Sequence, residues 1–73
     1  MVKLPVVSGK ELARRLKKFG YEPDHQTGSH LILRNIKPPY RRLTIPMHKE
    51  IARGTLKSIL RNAGLSLEEL GER

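Results

Sequence analysis

Gly28-Ser29-His30 stand directly before the apolar run Leu31-Ile32-Leu33. A glycine that can take a left-handed turn position, followed by a histidine on the first position of a strand, presents an imidazole at the end of that strand. Imidazole is the side chain whose unperturbed pKa lies near neutrality, so it can take or give a proton under ordinary conditions. Three histidines are present, His25, His30 and His48, and no cysteine. Disulfides and thiolate sites are therefore excluded, and a reducing cytosol is compatible. The histidines and the few carboxylates show no recognised ligand spacing, so no metal site and no cofactor is expected.

The elements that would hold His30 can be read on either side of it. Ser8 and Glu11 form a capping box that opens a helix from about Gly9 to Phe19. Leu12, Leu16 and Phe19, with Ala13 beside them, make its apolar stripe, and Gly20 ends it. Tyr21 to His25 reads as a short strand confined to a sheet edge by Pro23. Gln26-Thr27-Gly28 turns the chain, and Ser29 to Asn35 is the strongest strand. Ile36 to Tyr40, with Pro38-Pro39, is an extended loop before a third strand from Arg41 to Pro46. A second helix runs from about Arg53 or Gly54 to Ala63, burying Leu56, Ile59, Leu60 and Ala63. Gly64 stops it, and Ser66 with Glu69 caps a short helical tail. The whole, residues 1–73, reads as a single α+β domain of order α-β-β-β-α. Two helices on one face of a three-stranded antiparallel sheet bury these stripes economically, the layout of double-stranded-RNA-binding domains.

Register decides what surrounds the histidine. With Leu31 and Leu33 toward the helices, His30, Ile32 and Arg34 point to the open face. A three-residue loop pairs His25 with Ser29 and sets Asp24 opposite His30, where a carboxylate would orient the ring. A loop of even length would put Glu22 and Asp24 on the core face, at a desolvation cost. On the third strand Leu43 pairs with Leu33 and Ile45 with Leu31, bringing Arg42 and Thr44 to the open face beside His30. Pro46 falls opposite His30. His48 reads as a polar residue before a helix, and His25 as a surface histidine of an edge strand.

Formal net charge is +8, and residues 1–67 carry 14 Lys and Arg against Glu11, Glu22, Asp24 and Glu50. The last six residues, with Glu68, Glu69 and Glu72, are acidic. A basic body favours a polyanion, because neutralising phosphates releases counterions. The expected phosphate contacts are Arg34 and Arg42 on the sheet, with Lys49, Arg53, Lys57 and Arg61 on and before the second helix. Phe19, Tyr21 and Tyr40 are the only aromatics, too few for a base-stacking platform. Apolar runs stop at four residues, so no signal peptide or membrane span is read, and a cytoplasmic protein is expected.

Several of these stretches together resemble the HicA-type mRNA interferase toxins. They are Leu4-Pro5-Val6-Val7-Ser8-Gly9-Lys10-Glu11-Leu12, then Gly28-Ser29-His30, Pro46-Met47-His48, Gly54-Thr55-Leu56, Ile59-Leu60 and Ala63-Gly64-Leu65. Their order and spacing match the family over nearly the whole chain. The resemblance implies a double-stranded-RNA-binding-like fold and ribosome-independent cleavage of mRNA. It also implies neutralisation by a HicB-type antitoxin that covers the active face. On it, His30 is the catalytic residue, as general acid or base, and Gly28 is the glycine the turn needs, with Ser29 as the supporting residue between them. Asp24 and His25 lie outside the family pattern. Composition and periodicity alone support an RNA-binding domain, so a non-catalytic RNA-binding module of the same fold is the alternative, and His30 separates the two.

Overall fold

The structure, a computed structural model, describes residues 6–71. Leu4 and Pro5, which open the first family-like stretch, and Glu72 and Arg73, which end the acidic tail, lie outside the described residues. Helix α1 spans Gly9–Leu16 and tightens into a 3₁₀ turn over Lys17–Phe19. Strands β1 (Tyr21–Thr27), β2 (His30–Asn35) and β3 (Arg42–Pro46) follow, then α2 (Arg53–Ala63) and the short α3 (Leu67–Gly71). The sheet is antiparallel in the order β1-β2-β3. This is the α-β-β-β-α arrangement of the double-stranded-RNA-binding fold.

Caps fix the helix ends. The Ser8 hydroxyl accepts the Glu11 N–H at 3.0 Å, while the Glu11 carboxylate reaches forward to Arg14 and Arg15. At α3 the box is reciprocal: Ser66 Oγ accepts from Glu69 N–H, and Glu69 Oε1 accepts from Ser66 N–H. Leu12 and Leu16 of α1, Leu56, Ile59 and Leu60 of α2, and Leu33, Leu43 and Ile45 of the sheet form one buried cluster with Val7, Tyr21, Ile51 and Leu70. Phe19 and Ala63, expected on buried faces, are only partly covered and pack against this cluster. Leu70, in the tail, is 1% exposed, so α3 closes the core rather than trailing from it. Among the described residues no Lys, Arg, His, Asp or Glu side chain is buried, so the charged groups all keep contact with solvent.

The β2–β3 register is the expected one: Leu31 faces Ile45, Leu33 faces Leu43, Arg34 faces Arg42 and His30 faces Pro46. The β1–β2 register differs. The turn holds two residues, Gly28 and Ser29, so Thr27 pairs with His30 and His25 with Ile32. Asp24 is then left over as a bulge between Pro23 and His25, and Pro23 pairs with Leu33. The bulge absorbs the parity change that an even loop would otherwise impose. Glu22 stays on the open face opposite Arg34, Tyr21 stays in the core, and no carboxylate is buried.

Candidate active site on the open face of the sheet

His30 owes its position to the turn before it. Gly28 takes the first central position with φ +57°, while Ser29 keeps an ordinary negative φ, matching a II′-type two-residue hairpin. Gln26 Nε2 donates to the Gly28 carbonyl at 3.1 Å, and the Ser29 carbonyl accepts the Met47 N–H at 2.7 Å. The turn is thereby tied to the end of β3. His30 follows as the first residue of β2, exposed, with Thr27 and Pro46 as its cross-strand neighbours.

A second tie comes from α1. Gly9 N–H donates to the His48 carbonyl at 2.9 Å, and Ile51 N–H donates to the Val7 carbonyl at 2.9 Å. The contact is close: a Cβ on Gly9 would stand 2.2 Å from the Pro46 carbonyl oxygen and 2.8 Å from the Met47 Cα. The segment after β3 is therefore pinned under the start of α1, with the His48 side chain exposed.

Leu31, Leu33, Leu43 and Ile45 turn toward the helices, so His30, Ile32, Arg34, Arg42 and Thr44 share the uncovered face. His30 and Arg34 are four residues apart on one strand, about 13 Å at 3.3 Å per residue. Arg34 and Arg42 stand directly opposite each other, a like-charged pair that is favourable only with an anion beside it. Asp24 supplies part of that. Its carboxyl is held below the usual aspartate value, chiefly by the hydrogen bond from His25, against some desolvation; the charges of His25, Arg42 and Arg34 add to the effect. His25 Nδ1 donates to Asp24 Oδ2 at 2.9 Å.

Asp24 was expected opposite His30. The two-residue turn puts Thr27 there instead, and the aspartate partners His25 at the bulge. Lys49 is exposed after β3, and Arg53, Lys57 and Arg61 are exposed along α2. Because α2 packs on the covered face, these α2 side chains lie on the helical side of the sheet, away from His30, Arg34 and Arg42. An open groove of about 270 Å³, lined by Phe19, Tyr21, Asn35, Lys37, Arg41 and Ala63, lies at the other end of the sheet from the His30 turn. Among the described residues no three His, Asp or Glu side chains gather as a metal-holding group.

His25, which a three-residue loop would turn away from this face, stands on it opposite Ile32. Gly-Ser between two strands is a signature of a two-residue hairpin, and that signal would have placed His25 correctly.

With the geometry described, a family model for the HicA toxin of bacterial toxin–antitoxin systems matches residues 9–65, which takes in the turn, the sheet and both packing helices. A search of curated proteins finds no match.

Proposed function

Since the chain belongs to the HicA toxin family of bacterial toxin–antitoxin systems, we propose that it acts as a metal-independent endoribonuclease on mRNA, with His30 as general acid or base. The observation that carries the reading is the exposed His30, delivered by the Gly28-Ser29 turn onto a face that also holds Arg34 and Arg42. Cleavage by this route needs no cofactor. The 2′-hydroxyl loses its proton as O2′ attacks phosphorus, the O2′–P bond forms, and the P–O5′ bond breaks with a proton delivered to O5′. The products are a 2′,3′-cyclic phosphate and a 5′-hydroxyl end. Arg34 and Arg42, at the far end of this face from His30, hold the strand beyond the scissile bond. Lys49, Arg53, Lys57 and Arg61 extend the phosphate contacts onto the helical side.

A toxin of this family works with an antitoxin partner. A HicB-type protein covering the His30 face would inhibit it by excluding RNA. No helix among the described residues is long and apolar enough to cross a membrane, and an mRNA substrate places the activity in the cytoplasm.

The test is cleavage of a long mRNA by purified wild-type and His30→Ala protein with EDTA present. Cleavage by the wild type alone is the expected result. If neither protein cleaves while both bind the RNA, the chain is a non-catalytic RNA-binding module.

A further inference from the structure

Cleavage of a ribonucleotide linkage needs two proton transfers, and His30 alone supplies one of them at a time. The two-residue turn brings a second imidazole to the same face. His25 pairs with Ile32 and Thr27 with His30, so His25 and His30 are diagonal neighbours on adjacent strands. Diagonal positions on one face of an antiparallel pair are separated by roughly 7–8 Å, and somewhat less between Cβ atoms. A single phosphodiester group hydrogen-bonded at about 3 Å to each ring fits that gap.

The bulge prepares the second ring. Asp24 sits out of register, and its carboxylate accepts from His25 Nδ1 at 2.9 Å. That commits Nδ1 to carrying a hydrogen and leaves Nε2 as the atom that exchanges a proton with a ligand. His25 is accessible, with 57% of its side chain exposed against 30% for Asp24. Other charged groups on this face are Glu22 on β1, Arg34 on β2 and Arg42 on β3.

We propose that His25 is the second proton-transfer group of the reaction, working on the opposite side of the scissile phosphate from His30, with Asp24 as its positioning residue. One imidazole takes the 2′-hydroxyl proton while O2′ bonds to phosphorus. The other gives its proton to the departing O5′, and solvent restores both rings. This assignment rests on the endoribonuclease reading above and adds to it a residue that lies outside the Gly-Ser-His motif.

The experiment is the pH dependence of kcat/KM for RNA cleavage by the full chain, as wild type, His25→Ala, Asp24→Asn and His30→Ala, with melting temperatures as the folding control. Two proton-transfer groups give the wild type a bell-shaped profile, with one limb for the acid and one for the base. His25→Ala should fold as the wild type does, lose about 10²–10⁴-fold in rate, and lose one limb. Either limb supports the proposal, and which one disappears identifies His25 as acid or base. Asp24→Asn should give an intermediate loss with both limbs kept, as a positioning role requires. An undiminished rate in His25→Ala, or a lower rate with both limbs intact, would overturn the assignment while leaving His30 in place. An inactive wild type or an active His30→Ala would instead remove the ribonuclease reading, and the role of His25 with it.

Discussion

At Gly28 nothing lies within 4 Å of where a Cβ would stand, yet its backbone has φ +57°. At Gly9 the backbone is an ordinary helical start, yet a Cβ would collide with the Pro46 carbonyl oxygen at 2.2 Å. The two glycines are needed for different reasons, and substitutions tell them apart. Gly28→Ala should cost about 1–2 kcal/mol from the left-handed backbone, and Gly28→Asn clearly less, since asparagine tolerates that region. Gly9→Ala and Gly9→Asn should both be destabilising, Ala by about 1–3 kcal/mol, because any side chain there meets backbone that must move. Urea unfolding of the four variants checks this, and equal costs for Ala and Asn at position 28 would contradict the turn geometry. The Gly-Ser-His motif made the role of Gly28 readable in the sequence. Gly9 carries no such signal, because its constraint comes from Pro46 and Met47 at the end of β3, far away in the sequence.

Among the elements, α1 is the most legible. Its cap, its stripe and its end follow from Ser8, Leu12, Leu16 and Gly20, all local features. Its charge pattern makes a prediction of its own. The Glu11 carboxyl is held below the ordinary 4.5, chiefly by the hydrogen bond from Arg14 and then by that from Arg15. As pH falls the unfolded chain takes up this proton first, so the stabilisation present above about 4.5 is lost as pH drops through the lower folded value. Between about pH 5 and pH 3, Glu11→Gln should therefore lose less thermal stability than the wild type does. Parallel acid melting curves for the two proteins would refute it. Strand β1 was the least legible element. Beyond Tyr21 its residues are all exposed, so no apolar alternation selects a register. Parity alone favours an odd loop, and only an unpaired residue inside the strand reconciles the even loop with a buried Tyr21. Nothing in Pro23-Asp24-His25 announces a bulge to a pattern search.

For the whole molecule, the sequence discloses how much positive charge there is but not which side carries it, because that depends on how α2 docks. The fold sorts the cations into two groups, Arg34 and Arg42 on the open sheet, and Arg53, Lys57 and Arg61 on the helical side. RNA binding measured against salt separates their contributions. For a single strand each neutralised phosphate adds about 0.7 to the slope of log K against log salt, so Arg34→Ala with Arg42→Ala should lower it by about 1.4. The measurement belongs in a His30→Ala background, where the RNA stays intact. An unchanged slope would move the strand onto the helices.

The interruption of β1 also governs what the sheet refuses to do. β1 is an outer strand, and over seven residues it carries one proline without an N–H and one bulged aspartate. A neighbouring chain seeking to continue the ladder would find a missing donor beside a kink, which makes this rim a poor template for aggregation. The irregularity that aims an aspartate at a histidine is thus also a stop to uncontrolled growth of the sheet.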